Sequence, residues 1–343
     1  MLPLNHSISN MQARFKRQSL LNLNNRNNDA VILVTGATGH VGRPLIEALL
    51  GQGEEVRALL LEKETELKNV EIVQGNVLDV DSVKRAAEGV DVIYHLAAIV
   101  DYYRAPRHLM YDVNVNGTKN LLDCSKAGRF VYLSTTSVYG KRMKENPADE
   151  RTPCSPDSFY GETKEMAEKM VIGKGGIVLR SPVIYGHGFN EGFASILPRI
   201  EKGSMPIIGS GSNRIQWIHI SDLIQALLLA KDKGKPGETY LVAGEERKSQ
   251  EELFSLLARY LNAKPPGKRI SVTLAYASAY YSMLSARVRG VKPKLLPEHI
   301  SRIASDRTFD ISKAKAELGF RQTVGYEEGA KEIVKEYLDG KRK

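Results

Sequence analysis

The chain of 343 residues is 42% hydrophobic and 26% charged, a composition typical of a globular protein with a sizeable core. Its two cysteines, Cys124 and Cys154, are far apart and lack a Cys-x-x-Cys motif or a histidine partner, which argues against a disulfide scaffold or metal site and favours a reducing, cytoplasmic location. The net charge of +9 accompanies no arginine-rich or aromatic-interleaved motif, so nucleic-acid binding is not expected; basic residues are in excess at Arg14–Arg17, Lys264–Arg269, Arg287–Lys294 and Lys341–Lys343.

The chain begins with a polar segment. Residues 1–28 are rich in asparagine, contain no acidic residue and precede the first apolar run. We expect a flexible N-terminal extension, and a basic organellar transit peptide remains the alternative.

Short apolar runs then alternate with helical patterns. Strands are predicted, in chain order, at Ala30–Thr35, Glu55–Leu61, Val70–Gln74, Val90–Leu96, Phe130–Ser134 and Gly176–Arg180. Helices are predicted between them at Pro44–Leu50, Asp81–Glu88, Asn114–Ala127 and Tyr160–Ile172. Alternation at this spacing predicts right-handed βαβ units, and therefore an α/β fold with a Rossmann-type, doubly wound parallel sheet over residues 29–186.

Beyond residue 186 the pattern loosens. Helices are predicted at Gly192–Lys202, Ser221–Lys231 and Gln250–Asn262, with one strand, Thr239–Val242, that is expected to rejoin the sheet. Residues 187–343 are therefore interpreted as a smaller, mostly helical substrate-binding region.

One segment of this region is unusually apolar. Ser271–Ala286 contains leucine and several tyrosines and is flanked by basic residues. It is too short to span a bilayer, which needs about 20 apolar residues. A core helix, a lid over an apolar substrate and an interfacial helix that contacts a membrane surface are all compatible with the pattern.

A glycine-rich loop follows the first strand. It reads Thr35-Gly36-Ala-Thr38-Gly39-His40-Val41-Gly42 and leads into a helix. Gly36 allows a tight turn, Gly39 allows close approach of a pyrophosphate, and Gly42 allows close helix–strand packing. The loop predicts a dinucleotide cofactor, NAD or NADP.

The end of the second predicted strand bears on the choice of cofactor. Leu60 stands where an aspartate would bind the ribose 2′-hydroxyl, and Leu61 stands where an arginine would bind a 2′-phosphate. Arg43 and Lys63 are alternative phosphate ligands, whereas Glu62 is an alternative partner of the hydroxyl. The missing aspartate favours NADP slightly.

A phenol and an ammonium group lie four residues apart on a predicted helix, at Tyr160 and Lys164. A nearby lysine and a cationic nicotinamide both favour the phenolate, which lowers the pKa of the tyrosine from its usual value near 10. The pair can then exchange a proton with a substrate oxygen while hydride moves to or from the cofactor. Hydroxyl groups at Ser134–Ser137, where a strand ends, can bind the same oxygen.

These motifs together resemble the extended short-chain dehydrogenase/reductase superfamily. The resemblance extends from Ala30 to about Phe320 and includes His95–Ala98, Asn114–Thr118, Leu179–Gly186, Trp217–Asp222 and Asp310–Gly319. It implies that Tyr160 is the acid/base, that Lys164 lowers its pKa and holds the nicotinamide ribose, and that Thr135 orients the substrate oxygen. Asn114 would support the loop around the site.

The resemblance also implies a set of cofactor contacts. Asn76 replaces the family's usual aspartate beside the adenine. The implied cofactor-binding residues are Gly36, Thr38, Gly39, His40, Val41, Gly42, Asn76, Val77, Leu96, Ala97, Ala98, Ser134, Tyr160, Lys164, Pro182 and Val183.

The superfamily contains both epimerases and dehydrogenases. Sugar epimerases usually carry an arginine just before the aromatic-Ile-His segment, but Ile215 and Gln216 precede Trp217 here, and Arg214 is displaced. Together with the apolar Ser271–Ala286 segment, this favours an oxidoreductase of the 3β-hydroxysteroid dehydrogenase or dihydroflavonol reductase type, acting on an apolar small molecule. A nucleotide-sugar 4-epimerase with tightly bound NAD and a cofactor-binding protein without turnover are the alternatives. As in relatives, the helices at Asn114–Ala127 and Tyr160–Ile172 would pair to form a homodimer.

Overall fold

A parallel β-sheet forms the centre of the molecule. The computed structural model describes residues 30–62, 67–100, 105–141, 143–188, 190–291, 293 and 295–341, so the predicted extension at residues 1–28 lies outside the described residues. The sheet contains β1 (Val31–Thr35), β2 (Glu55–Leu60), β3 (Glu71–Gln74), β4 (Val92–His95), β5 (Arg129–Thr135), β6 (Ile177–Ser181) and β11 (Thr239–Leu241).

The strand order is β3-β2-β1-β4-β5-β6-β11, and every neighbouring pair is parallel. The inner strands are apolar runs buried on both faces, as a parallel sheet covered by helices requires. The chain reverses its direction of winding between β1 and β4, and a ligand crevice is expected where these two strands end. This architecture confirms the predicted fold class.

Helices cover both faces of the sheet and form most of the C-terminal region. They are α1 (Gly42–Gly51), α2 (Val80–Ala87), α3 (Arg107–Tyr111), α4 (Gly117–Cys124), α5 (Phe159–Gly173), α6 (Asn190–Glu201), α7 (Ile220–Lys233), α8 (Gln250–Tyr260), α9 (Val272–Arg289), α10 (Pro297–Ala304) and α11 (Tyr326–Lys341). Short strands pair outside the main sheet: β7 (Ile184–Tyr185) with β10 (Ile218–His219), β8 (Ile207–Ile208) with β13 (Arg269–Ile270), and β9 (Arg214–Ile215) with β12 (Lys248–Ser249).

The C-terminal region has an apolar core of its own. Side chains from α6, α8 and α11 pack around Trp217 and Phe254, separately from the clusters on the two faces of the main sheet. β11 nevertheless returns to the main sheet beside β6, as the sequence predicts. The C-terminal half is therefore attached to the sheet rather than separate from it.

The helix predicted at Asn114–Ala127 differs most from its prediction. Helical structure begins at Arg107, passes through a π-helical turn at Asp112–Asn116 and ends at Cys124. The wide turn includes the buried Asn114 side chain, which bonds to a neighbouring loop instead of facing solvent.

Candidate active site

A cleft of about 500 Å³ opens where β1, β4, β5 and β6 end. Its wall combines the glycine loop, the hydroxyl cluster after β5, one face of α5 and segments of the C-terminal half. The predicted site residues in this wall are Gly36, Gly39, His40, Val41, Gly42, Leu96, Ala98, Ser134, Thr135, Tyr160, Lys164, Pro182 and Val183.

The three glycines of the first loop are needed for different structural reasons. Gly36 has a φ of +70°, and an added Cβ would lie 2.7 Å from the backbone nitrogen of Ala97. A Cβ on Gly42 would lie 2.2 Å from the Gly36 carbonyl oxygen. A Cβ on Gly39 would approach only that same oxygen, at 3.1 Å. Gly36 and Gly42 are therefore required for the turn itself, whereas Gly39 leaves its open side to the cleft.

The start of α1 suits an anionic group. The residue before the helix, Val41, makes no side-chain cap, and the first turn contains no acidic residue. The Arg43 N–H already donates to the Gly39 carbonyl and Pro44 has no N–H, so it is the positive end of the helix dipole that favours a phosphate here. The glycine loop and this helix end therefore fit the pyrophosphate of a dinucleotide.

Tyr160 and Lys164 lie on the same face of α5. Ser158 caps this helix by accepting a hydrogen bond from the Gly161 N–H, which fixes the first turn that carries Tyr160. Both side chains are buried, and both line the cleft. The four-residue spacing therefore places both side chains in the cleft where the strands of the sheet end.

The ammonium group of Lys164 is held against the end of β5. Its Nζ donates to the Leu133 carbonyl at 2.7 Å and lies 4.0 Å from the centre of the Tyr132 ring. Burial lowers the pKa of Lys164 to about 7, although the carboxylate of Glu168 raises it in part. The lysine is therefore fixed in place, and its pKa depends on its burial and on the charge of Glu168.

Thr135 ends β5 beside Ser137. The Thr135 hydroxyl accepts a hydrogen bond from the Ser137 N–H at 3.1 Å and donates to the Ser137 hydroxyl at 3.2 Å. Both residues line the cleft. The sequence motif predicts a hydroxyl cluster at Ser134–Ser137, and the fold shows that Ser137 shares one pocket with Thr135.

Asn114 joins the loop after β4 to the catalytic helix. Its side chain accepts from the Ile99 N–H at 2.8 Å and donates to the Ile99 carbonyl and the Thr163 hydroxyl, at 3.1 and 3.0 Å. It is buried and does not line the cleft. Its position suits the supporting role that the resemblance implies.

His95 fixes the end of β4 from below the cleft. Its ring bonds to the hydroxyls of Thr35, at 2.7 Å, and Thr118, at 2.9 Å. Burial, reinforced by the positive charge of Lys164, lowers the pKa of His95 to about 3. A neutral imidazole therefore ties β1, β4 and α4 together.

Four of the predicted cofactor contacts lie outside the cleft wall: Thr38, Asn76, Val77 and Ala97. The Asn76 side-chain oxygen accepts from the N–H groups of Leu78, at 2.8 Å, and Asp79, at 3.2 Å. Because this oxygen stabilises its own turn, the amide nitrogen is the part of Asn76 available to an adenine ring.

The C-terminal half contributes residues that the sequence motifs did not select. Arg307 lines the cleft and donates to the carbonyls of Gly140, at 2.7 Å, and Thr136, at 2.9 Å. Gln216 is buried, donating to the Gly244 carbonyl and accepting from the Phe309 N–H. Gln216 lies 43 positions after the end of α5, and Arg307 lies 91 positions after Gln216, so only the folded chain brings them to one cleft.

No group of three or more histidine, cysteine, aspartate or glutamate side chains within the described residues is arranged to hold a metal ion. No helix in the described part of the chain is long and apolar enough to cross a membrane.

A dinucleotide-type loop beside a buried Tyr-x-x-x-Lys pair defines the class: an NAD(P)-dependent oxidoreductase. The particular family follows from comparison with known proteins. A model of the NAD dependent epimerase/dehydratase family matches residues 32–243, and the chain belongs to that family.

The chain is similar in sequence to a dehydrogenase and a reductase, and similar in fold to an epimerase. The chain is 29% identical, over 336 residues and 90% of each protein, to a 3 beta-hydroxysteroid dehydrogenase/Delta 5→4-isomerase of Mycobacterium tuberculosis. It is 25% identical to a 2-alkyl-3-oxoalkanoate reductase of Shewanella oneidensis, over 88% of this chain and 84% of the relative. The structure of UDP-glucose 4-epimerase from Thermotoga maritima matches with a TM-score of 0.72, covering 91% of this chain and 100% of that one at 23% identity, and this likeness shows the fold alone.

Proposed function

We propose that the protein interconverts a secondary alcohol and a ketone on an apolar substrate of steroid, flavonol or isoprenoid type. The observation that carries this proposal is the apolar part of the cleft wall, which is lined by Ile184 of β7 and by Ile215, Trp217 and Phe309 of the C-terminal half. Such a wall favours a hydrocarbon skeleton over a sugar nucleotide. Similarity to the mycobacterial hydroxysteroid dehydrogenase supports the same substrate class.

In the proposed mechanism, Tyr160 gives a proton to the substrate oxygen during ketone reduction and takes it back during alcohol oxidation. A nicotinamide held in the cleft would supply or accept the hydride. When substrate binds, the Thr135 hydroxyl turns its proton from the Ser137 hydroxyl to the same oxygen and stabilises its developing negative charge. Lys164, fixed by the Leu133 carbonyl, favours the phenolate of Tyr160 and would hold the ribose of a bound cofactor.

We propose NADP as the preferred cofactor. Leu60 is buried at the end of β2, and Leu61 follows it 74% exposed, so neither can bond a ribose 2′-hydroxyl as an aspartate would. Arg43 lies at the start of α1 and donates through Nε to the Thr38 carbonyl at 3.3 Å, which keeps its cation beside the loop. A cation there favours a 2′-phosphate over a hydroxyl.

A nucleotide-sugar 4-epimerase is the second candidate, because Arg307 lies in the cleft wall, where a guanidinium can bind a diphosphate. Two features favour the dehydrogenase. The Arg307 guanidinium already donates to two main-chain carbonyls. Arg214, the displaced arginine before Trp217, is exposed and bonds to the Arg247 carbonyl outside the cleft wall.

The two candidates differ in their use of cofactor. We expect net formation or loss of reduced nicotinamide with hydroxysteroids, flavonols or isoprenoid alcohols and their ketones, and none with UDP-sugars. Tyr160→Phe is the control: it removes the transferable proton, so turnover falls by about 100-fold or more while cofactor affinity is retained. Inversion of a UDP-sugar without net cofactor change would overturn the dehydrogenase proposal.

We also propose a cytoplasmic homodimer built on α4 and α5. Three large apolar side chains there are more than one third exposed, as expected of an interface. Met166 lies on α5, and Leu109 and Tyr111 lie on α3, which leads into α4. Met166→Glu should convert a sedimenting dimer to a monomer without lowering the melting temperature of the subunit. An unchanged dimer would place the interface elsewhere.

A further inference from the structure

Helix α9 is apolar on two opposite faces. On its inner face, Ala275 and Ala279 pack with Ile208 and Ile300 in a small buried cluster, and the partly buried Tyr276 packs against them. Ser271 caps its first turn, and Gly290 ends it in a left-handed conformation, so the helix is locally well defined. Its inner face therefore fixes the helix to the protein.

The outer face is exposed along its whole length. Leu274, Tyr281 and Val288 follow each other at seven-residue intervals and are 54%, 72% and 81% exposed. Tyr280 and Leu284, 61% and 64% exposed, widen this stripe. A helix that is apolar on all sides is normally buried on all sides, so this outer stripe is a surface to be covered.

The charge around the stripe is of one sign. Residues 253–297 contain eight lysines and arginines and no aspartate or glutamate, which accounts for nearly all of the net charge of +9. Lys264 and Lys268 are exposed before the helix, and Arg287 and Arg289 are exposed at its end. Among the described residues, none of these four forms a salt bridge with a carboxylate. The stripe thus has unneutralised basic residues at both ends.

We propose that the outer face of α9 docks on an anionic phospholipid surface. Leucine and valine side chains enter the acyl boundary, tyrosines suit the interfacial layer, and the basic residues at both ends contact lipid phosphates. A second copy of this chain is a poorer partner, because a two-fold axis through the stripe would bring the same basic segments together with no acidic side chain to oppose them.

The docking face adjoins the active-site cleft without forming part of it. Among the described residues, those that line the cleft include none from α9. However, α10 links the two: Ile300 packs under α9, and its neighbour Ser301 lies in the cleft wall. Docking would hold the cleft close to an apolar substrate dissolved in the bilayer; this consequence rests on the proposed function, whereas docking itself does not.

Vesicle flotation tests the docking without any substrate. Wild-type protein is mixed with vesicles of phosphatidylcholine alone or of phosphatidylcholine with phosphatidylserine. We expect binding only to the anionic vesicles, weakened by salt. The double variant Tyr281→Ser/Leu284→Ser should bind at least about tenfold more weakly. Lys264→Ser/Lys268→Ser/Arg287→Ser/Arg289→Ser should lose on the order of a hundredfold.

The matched control is Lys84→Ser/Arg85→Ser, which removes exposed basic residues from α2 and should bind like wild type. Thermal melts check that the exposed-face variants remain folded, and turnover of a detergent-dispersed substrate checks the active site separately. Failure of the wild-type protein to bind anionic vesicles would overturn the proposal. A lower sedimenting mass of lipid-free Tyr281→Ser/Leu284→Ser would also overturn it, because a second copy would then cover the stripe.

Discussion

The buried ammonium group of Lys164 affects both the proposed catalysis and the stability of the folded protein. Its pKa is lowered to about 7 in the folded protein from a usual 10.5, with burial as the main cause. The unfolded chain therefore binds more protons than the folded chain between these two values, and stability contributed by this site rises with pH across that range. A charged lysine retained at such a cost points to a functional requirement.

Replacement of Lys164 by methionine tests this account. Turnover and cofactor affinity should both fall, because the phenolate and the ribose lose their cation. The unfolding free energy of the variant relative to wild type should be most favourable below pH 7 and decline towards pH 10, as seen in urea titrations across pH. Lys169→Met, at an exposed position on the same helix, should show no such dependence. A difference that does not vary with pH would contradict the lowered pKa.

His95 predicts a distinct acid response. Its folded pKa is about 3, below the usual 6.5, so the stability it contributes is present above 6.5 and is lost as pH falls towards 3. Wild type should lose up to about 1.4 kcal/mol per pH unit more than His95→Gln over that window. Urea unfolding of both proteins at a series of pH values measures the difference. Parallel curves would mean that the buried ring accepts a proton at little cost.

At the scale of elements, two glycines of the loop have different roles: Gly42 is needed for the geometry of the turn and Gly39 for ligand binding. Gly42→Ala places a Cβ 2.2 Å from the Gly36 carbonyl oxygen and should lower the melting temperature. Gly39→Ala meets only the same oxygen at 3.1 Å, so it should leave the fold nearly unchanged yet weaken cofactor binding about tenfold or more. Cofactor titration and thermal melts of the two variants distinguish the effects. Equal cofactor affinity in Gly39→Ala and wild type would remove Gly39 from the binding site.

The elements also show what the sequence can and cannot predict. The strands from Val31 to Ser181 are short apolar runs between glycine-rich turns, so periodicity and spacing locate them. α11 was not predicted, although Tyr326, Ala330, Ile333 and Val334 follow a helical period, because charged residues dominate its sequence. At the π-helical turn, Asn114 accepts a hydrogen bond from the Ile99 N–H, a contact that no local pattern encodes.

At the scale of the whole molecule, the cleft depends on contacts between distant parts of the chain. Arg307 bonds to the loop after β5, and Gln216 bonds to Phe309, so the C-terminal half is fixed onto the end of the sheet. Sequence motifs predicted the sheet and the Tyr160–Lys164 pair because these are local patterns. They did not select Arg307, since its position in the cleft arises from a separation of 171 residues.

Hydride transfer from labelled cofactor tests the central claim most directly. The protein is incubated with reduced NADP deuterated at the transferred position and an apolar ketone, and the product is analysed by mass spectrometry. The account predicts an alcohol with one deuterium on its carbinol carbon and one oxidised cofactor for each product molecule. Absence of label from the product, together with inversion of a UDP-sugar and no net loss of cofactor, would contradict it.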